Sequence, residues 1–219
     1  MLSLYGAYRS RASRPLWLLA ETGTPFRHVP VIQSYRLPDP AAADAPFNTA
    51  SPEFLAMNPQ GLIPCLEDDG LVLTESLAMT MYIAKKHGGD LGPRDLAEDG
   101  QMMMWALVGA TGIEGPGLEI LQVHGRKEAE TPAGAAAIKA NLDKLARPFA
   151  LVEKHLQDRD WLVGGRFTVA DLMLAECTRY AQAQPGALDQ FPRLAAWMAR
   201  CQARPAFKTM WDTRNAEPM

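Results

Sequence analysis

The feature that most constrains the fold of this 219-residue chain is a change of hydrophobic pattern near residue 90. Up to about Thr74, short apolar segments rich in strand-forming residues alternate with helical stretches, whereas every long segment beyond Leu96 has the period of a helix. Between the two patterns, His87-Gly88-Gly89-Asp90 and Gly92-Pro93 are helix breakers. The pattern predicts an α/β domain over residues 1–86, a linker at 87–94 and an all-helical domain over 95–219.

The first domain begins with a pattern typical of a βαβ unit, in which two parallel strands flank a helix. Further along, Asp68-Asp69-Gly70 separates two apolar segments and predicts a hairpin turn. A long polar loop, Gln33 to Ala50, precedes a short helix that Ser51-Pro52-Glu53 opens. The predicted strands are Leu2–Tyr5, Arg27–Ile32, Leu62–Glu67 and Leu71–Leu73, and the main predicted helices are Ala12–Thr22 and Glu75–Lys86.

The second domain is predicted to consist of helices only. The first runs from Leu96 to about Glu114 and is expected to break or kink at Gly115-Pro116-Gly117. Ala133 to Leu156 is a second long helix, and Pro192 to Ala203 is another. Thr168-Val169-Ala170-Asp171 has the spacing of a capping box, which starts a helix between them.

Composition excludes several classes of function. The chain has 22 basic and 25 acidic side chains, a net charge of −3 and a pI near 5.8, which argues against nucleic acid as a partner. The longest apolar run, Met102 to Val108, is far shorter than the roughly 20 residues that span a bilayer. Arg9, Arg11 and Arg14 fall where a secretory leader would be apolar. We therefore expect a cytoplasmic protein with no membrane partner.

Neither cysteine nor histidine spacing suggests a metal site. The three cysteines are widely separated and form no C-x-x-C motif, so that reduced thiols are expected. The four histidines are scattered along the chain without the spacing of ligands. The residues concerned are Cys65, Cys177, Cys201, His28, His87, His124 and His155.

Two hydroxyl groups lie where the first strand leads into the first helix. Ligands of open α/β sheets bind at the carboxyl ends of strands. Because Pro15 favours a helix start at Ala12 or later, Ser10 and Ser13 are expected at the helix mouth. A hydroxyl there can donate a hydrogen bond to an anion, assisted by the helix dipole. The alternative is that both serines simply cap the helix.

Two further segments could bind a peptide-like ligand. In Asn58-Pro59-Gln60-Gly61-Leu62-Ile63-Pro64, a cis Ile63–Pro64 bond would turn the backbone of Ile63 towards a ligand instead of a neighbouring strand. Thr74-Glu75-Ser76 opens the next helix, where Ser76 suits a carboxylate and Glu75 suits an ammonium group. Thr-Glu-Ser is also a common helix-capping sequence.

In this order and spacing, these segments resemble the cytosolic glutathione transferases. Asn-Pro-x-Gly-x-x-Pro at 58–64, Thr-Glu-Ser at 74–76 and Phe-Thr-x-Ala-Asp at 167–171 each match the family. The resemblance covers nearly the whole chain. It implies an N-terminal thioredoxin-like domain, with a four-stranded mixed sheet and helices, followed by an all-helical C-terminal domain. It also implies glutathione as co-substrate and a homodimer.

The family's site residues are carried over to matching positions of this chain. The resemblance implies that Pro64 is the cis-proline and that the backbone of Ile63 pairs with the cysteinyl part of glutathione. Gln60 lies in the same Asn58–Pro64 motif. Glu75 and Ser76 are the implied γ-glutamyl clamp. For the activating hydroxyl, Ser10 matches a bacterial serine-type pattern, Tyr5 matches the tyrosine-type classes, and Ser13 and Tyr8 are held in reserve. Leu62 departs from the family, many members of which have a polar Gln or Lys there.

The implied reaction is attack of the glutathione thiolate on a small hydrophobic electrophile, as in detoxification. The residues predicted to line the electrophile pocket are Tyr8, Met104, Trp105, Val108 and Thr111. For Met104 and Trp105 the alternative is ordinary helix core. Two other functions stay open: a glutathione-dependent isomerase, similar to maleylacetoacetate isomerase, or dehalogenase, and a non-catalytic binding module of the same fold.

Overall fold

A computed structural model describes residues 1–217 and divides the chain into two compact units. The first unit contains Met1–Gly89 and the C-terminal helix, and the second contains Asp90–Arg204. The strands are β1 (Ser3–Tyr5), β2 (Arg27–Val29), β3 (Cys65–Asp68) and β4 (Leu71–Leu73). The helices are α1 (Ser13–Thr22), α2 (Pro52–Met57), α3 (Ser76–His87), α4 (Leu96–Val108), α5 (Glu114–Gly125), α6 (Pro132–His155), α7 (Val169–Thr178), α8 (Pro192–Gln202) and α9 (Pro205–Ala216).

The first unit is built on a four-stranded mixed sheet of order β2-β1-β3-β4. Strand β1 runs parallel to β2 and antiparallel to β3, and β3 pairs with β4 in the predicted hairpin. Leu4 faces both neighbours, paired with His28 on one side and with Leu66 on the other. Helices α1 and α3 pack against each other, and Leu16 to Leu19 of α1 are buried. The expected thioredoxin-like arrangement is confirmed.

Strands β2 and β3 differ by three residues at one end from their predicted bounds. Strand β2 ends at Val29, and Ile32 instead forms an isolated bridge with Asn48 of the long loop. The buried Asn48 amide closes that loop, because its Nδ2 donates to the carbonyls of Pro40 (3.1 Å) and Pro46 (2.9 Å). Strand β3 begins at Cys65 rather than at Leu62, since a proline at position 64 has no N–H to donate to a strand ladder.

The C-terminal helix belongs to the first unit, which corrects the expected second domain of residues 95–219. No helix is predicted from the sequence over 205–216, but α9 forms there and packs on α1. The ring centroids of Phe207 and Trp17 lie 4.9 Å apart in an edge-to-face contact, and Phe207 and Met210 are buried. Burial of this apolar stripe against α1 explains why the helix returns to the first unit.

The second unit surrounds α7, whose residues are all buried. The predicted capping box is present at its start, where Asp171 accepts a hydrogen bond from the Thr168 N–H at 2.9 Å. The same carboxylate accepts from the Leu162 N–H and from Trp197 Nε1, both at 2.9 Å. One aspartate therefore joins the start of α7 to the preceding loop and to α8.

The predicted helix break at Gly115-Pro116-Gly117 is wrong in position. The irregularity is a π-helical turn over Gly109–Ile113, and α5 begins immediately after it at Glu114. Pro116 follows this turn closely; it has no N–H to donate, and its ring opposes the carbonyl of Gly112, four residues back within the π-helical turn. Within residues 1–217, no helix combines the length and the apolar character that crossing a bilayer requires.

Candidate active site

The loop between β1 and α1 carries the first group of predicted site residues. Gly6 has a φ of 155°, and a Cβ at this position would come within 3.2 Å of the Ala12 side chain, so the tight path of the loop needs glycine. Its N–H donates to the Val29 carbonyl at 3.0 Å, and its own carbonyl accepts from His28 Nε2 at 2.9 Å. The loop is thereby fixed to β2 at its start.

Ser10 lies at the mouth of α1, as predicted, and is half-buried. Its hydroxyl donates to the Ala7 carbonyl at 2.6 Å and accepts from the Ala12 N–H at 3.0 Å. These bonds close a compact turn just before the helix. A hydroxyl has one proton. To donate to a bound sulfur, the Ser10 hydroxyl must therefore break its hydrogen bond to the Ala7 carbonyl and rotate towards the ligand.

The competing candidates have different surroundings. The Tyr5 side chain packs against a buried apolar cluster of Val31, Phe54 and Cys65. Ser13 is the first residue of α1 and is fully buried. Ser10 and Tyr5 are both partly exposed, and they differ in that the Tyr5 ring packs on an apolar cluster whereas Ser10 lies directly before α1.

Tyr8 lies in the same loop and is half-buried. Its ring makes an edge-to-face contact with His28, with centroids 5.3 Å apart. Burial raises the pKa of the Tyr8 phenol, and the carboxylate of Glu217 raises it further. The phenol therefore stays protonated at neutral pH.

The segment Asn58 to Pro64 forms a rigid approach to β3. The Ile63–Pro64 peptide bond is cis. The buried side chain of Asn58 donates to the Leu62 carbonyl at 2.7 Å and accepts from the Gln60 N–H at 3.2 Å. The side chains of Gln60 and Leu62 are exposed, whereas Ile63 is half-buried and Pro64 is buried.

Glu75 and Ser76 lie at the start of α3, and both have unusual environments. Glu75 is exposed and has φ 64° and ψ 107°, a backbone conformation that non-glycine residues rarely adopt and that clusters at binding sites. Ser76 is buried, and its Oγ accepts a hydrogen bond of 2.8 Å from Nη1 of Arg14. This role of Arg14 is not predicted from the sequence, where the available signal is a cation followed by the apolar run Pro15 to Leu19.

The four predicted pocket residues of the second unit do not all gather at one cavity. Met104 and Trp105 line a cavity of about 640 Å³, but Val108 and Thr111 do not. Trp105 is 2% exposed and its ring meets that of His155 edge-to-face at 4.8 Å, as expected of helix core, while Met104 is exposed. The exposed Thr111 donates its hydroxyl proton to the Leu107 carbonyl at 2.8 Å.

The thiols of the chain are in unreactive positions. Cys65, Cys177 and Cys201 are buried and form no disulfide. Burial raises the pKa of Cys65 to about 11, so this thiol stays protonated next to the Ile63–Pro64 turn. Among the residues that the structure describes, no group of three histidine, cysteine or acidic side chains is arranged to hold a metal ion.

The comparisons with known proteins place this geometry in a family. Residues 4–91 match the model of the glutathione S-transferase N-terminal domain, and residues 102–205 match that of the C-terminal domain. Glutathione S-transferase F13 of Arabidopsis thaliana is 32% identical over 94% of this chain and 93% of its own. The chain belongs to the glutathione S-transferase family. Membership confirms the expected enzyme class, glutathione transferase, and glutathione as the co-substrate of that class.

Other glutathione S-transferases show the same similarity. Glutathione S-transferase 3 of Zea mays is 33% identical over 72% of this chain and 73% of its own. Among solved structures, glutathione transferase F7 of Populus trichocarpa superposes with a TM-score of 0.79, at 31% identity, over 98% of this chain and 100% of its own. The theta class enzyme of Xanthomonas axonopodis pv. citri, solved with glutathione bound, gives 0.76 at 26% identity over 95% of each chain. The expected bacterial, serine-type subgroup is not confirmed, because the relatives include many plant enzymes.

Proposed function

We propose that the Ser10 hydroxyl activates the thiol of glutathione as a thiolate, which then attacks small hydrophobic electrophiles. The observation that carries this proposal is the position of Ser10, half-buried at the mouth of α1, while Tyr5 packs into an apolar cluster. A free thiol with a pKa near 8.5 is only a few per cent ionised at neutral pH. A hydrogen bond to the sulfur and the positive end of α1 both favour the anion and lower that pKa.

The proposed reaction has two steps. First, the glutathione thiol loses its proton to solvent, and Ser10 donates its own hydrogen bond to the resulting thiolate. Second, the sulfur lone pair forms a bond to the electrophilic carbon, and the bond between that carbon and its leaving group breaks, releasing the leaving group with the electron pair. Ser10 keeps its proton throughout and stabilises charge without acting as a base.

Glutathione binding is assigned to the N-terminal part of the chain. We propose that Ile63 pairs with the cysteinyl backbone of glutathione and that Pro64 and Gln60 shape that position. Glu75 receives the ammonium group and Ser76 the carboxylate of the γ-glutamyl end. The similar theta class enzyme of Xanthomonas axonopodis pv. citri, solved with glutathione bound, supports a glutathione site in this fold.

The remaining assignments complete the proposal. We propose a homodimer that acts in the cytoplasm, in which residues 1–86 bind glutathione and residues 95–204 contribute to electrophile binding. Tyr8, Met104, Trp105, Val108 and Thr111 stay the predicted contacts of the electrophile. Size-exclusion chromatography with light scattering tests the dimer, and a screen of halogenated aromatic, epoxide and unsaturated carbonyl compounds tests the electrophile class.

The activating hydroxyl is tested by ultraviolet difference absorbance of the bound thiolate, followed from pH 5 to 9. We expect a wild-type thiolate pKa well below that of free glutathione. Losing one hydrogen bond to a charged atom, about 1.5–3 kcal/mol, raises the thiolate pKa of Ser10→Ala by about 1–2 units. Tyr5→Phe, the comparison variant, keeps the wild-type pKa. If Tyr5→Phe raised the thiolate pKa and Ser10→Ala did not, the activating role would belong to Tyr5. If the wild type showed no thiolate band, the non-catalytic binding module would be the better function.

A further inference from the structure

The end of the C-terminal helix is hydrogen-bonded to the loop that carries Ser10. We propose that Glu217 is a positioning residue for thiol activation: its carboxylate holds the backbone of Tyr8 and Arg9 and thereby fixes the turn that presents Ser10. This inference rests on the proposed function of Ser10. The bonds join residues more than 200 positions apart in the sequence.

The carboxylate of Glu217 uses both oxygens on the loop. Oε1 accepts from the Tyr8 N–H at 2.9 Å, and Oε2 accepts from the Arg9 N–H at 2.7 Å. An ionised carboxylate only accepts hydrogen bonds, and bonds to a charged acceptor are shorter and stronger than neutral ones. The carboxylate therefore holds two successive peptide N–H groups, those of Tyr8 and Arg9, in one orientation.

The loop in turn binds the helix. The guanidinium of Arg9 donates from Nε to the Arg214 carbonyl and from Nη2 to the Asn215 carbonyl, each at 3.0 Å. These carbonyls belong to the last turn of α9, where backbone acceptors lack helical partners and the dipole favours a cation. Arg214 completes the arrangement, since its Nη1 donates to the Tyr8 carbonyl at 2.6 Å.

The helix can act as a fixed support because its apolar side is packed on α1. Phe207 and Met210 are buried, and Phe207 contacts the ring of Trp17. The loop is thus tied at Tyr8 and Arg9 to a helix that is anchored on the body of the same unit. The first unit contains both partners, so the arrangement does not depend on Asp90–Arg204.

The consequence for Ser10 follows from its place in the chain. Tyr8 and Arg9 are the two residues between Ala7, which accepts the Ser10 proton, and Ser10 itself. When Glu217 holds the Tyr8 and Arg9 N–H groups, the turn keeps one backbone geometry. From that geometry the Ser10 hydroxyl needs only to rotate to reach the glutathione sulfur. Without the carboxylate, the two N–H groups turn to water and the turn samples other conformations. Preorganised donors stabilise charge better than donors that must reorganise.

The test compares Glu217→Gln with Asp212→Asn. The glutamine amide has one acceptor oxygen, so one of the two loop N–H groups loses its partner while the side-chain shape is kept. Asp212→Asn is the matched control: it also removes one carboxylate charge, at an exposed residue of α9, the helix that ends just before Glu217. Three measurements are made on each full-length variant: the bound-thiolate pKa, kcat with a standard electrophile, and KM for glutathione.

For Glu217→Gln we expect the thiolate pKa to rise by about one unit and kcat at pH 6.5 to fall by about five- to tenfold, since one unit is a tenfold change in the ionisation constant. KM for glutathione should stay within about twofold, because the residues proposed to bind the tripeptide lie elsewhere. Asp212→Asn should match wild type. Amide hydrogen exchange should become faster at Tyr8 and Arg9 in Glu217→Gln only.

Several results would overturn the inference. A thiolate pKa in Glu217→Gln equal to that of Asp212→Asn would show that the turn needs no support. A lower thiolate pKa would show that the carboxylate acts by repelling the thiolate. Faster exchange at Tyr8 and Arg9 together with an unchanged thiolate pKa would leave Glu217 a purely structural role.

A second variant approaches the same contact from the other side. Arg9→Ala removes the bonds to the Arg214 and Asn215 carbonyls but keeps the Arg9 N–H that Glu217 accepts. We expect a smaller rise of the thiolate pKa than in Glu217→Gln, in the same direction, and no rise would contradict the inference. If wild type itself shows no lowered thiolate pKa, the proposed function of Ser10 fails first, and this inference fails with it.

Discussion

Replacing Ser76 by alanine should produce two separate losses, one in folding stability and one in glutathione affinity. Ser76 Oγ accepts a hydrogen bond from Arg14 Nη1 at 2.8 Å, and Arg14 is only 1% exposed. Alanine removes the acceptor from a buried cationic donor. Leaving such a group without that partner costs about 2 kcal/mol, so we expect the free energy of unfolding of Ser76→Ala to fall by that amount.

The affinity loss has a different origin. Because Arg14 donates to the Ser76 oxygen, the serine proton is available to a ligand carboxylate. A hydrogen bond to a charged acceptor contributes about 1.5–3 kcal/mol, which corresponds to a glutathione Kd raised roughly 10- to 150-fold in Ser76→Ala. Helix α3 keeps its free N–H groups, so binding should weaken without disappearing.

Urea denaturation measures the first loss and isothermal titration calorimetry with glutathione measures the second. Ser51→Ala is a suitable control, since Ser51 also opens a helix of this unit and accepts the Asn48 N–H at 3.0 Å. Ser51→Ala loses the hydrogen bond from the Asn48 N–H, which should cost about 1 kcal/mol of stability and leave the glutathione Kd unchanged. A Ser76→Ala protein that binds glutathione within twofold of wild type would refute the clamp assignment. Unchanged stability would refute the importance of the Arg14 bond.

Two further predictions concern backbone strain and acid stability. Glu75→Gly should unfold at the same or a slightly higher urea concentration than wild type, because a φ of 64° costs a non-glycine residue about 1 kcal/mol or more. Calorimetry should nevertheless show weaker glutathione binding. A clear loss of stability would contradict the strain argument. Hydrogen bonds from Arg166 hold the pKa of Glu98 at about 2, below its ordinary 4.5. The Glu98–Arg166 pair therefore adds stability above pH 4.5 that is lost as the pH falls towards 2. Glu98→Gln should lower the free energy of unfolding by about 2 kcal/mol at pH 7 and should lose less of it than wild type between pH 4.5 and 2. Parallel curves of unfolding free energy against pH for the two proteins would contradict this prediction.

Local sequence patterns determined most of the elements and their order. The Asp68-Asp69-Gly70 turn, the Thr168–Asp171 capping box and the start of α1 after Ala12 are all present in the structure. Each depends on hydrogen bonds or φ preferences among residues a few positions apart. For that reason a single sequence is enough to predict them. The motifs of the resemblance likewise identified the family that the comparisons confirm.

Tertiary structure decided which of the candidate groups come together. The Arg14–Ser76 bond joins residues 62 positions apart, and the bond from Tyr8 to Glu217 spans 209. The return of α9 to the first unit and the packing of Tyr5 against a buried cluster depend on which apolar faces meet. Residue spacing and helix propensity do not predict which faces pack together, because the free energy of burial depends on both contacting surfaces and not on either segment alone. The sequence by itself determined the elements, the family and the candidate residues, whereas packing alone decided the surroundings of Ser10, Ser76 and Glu217.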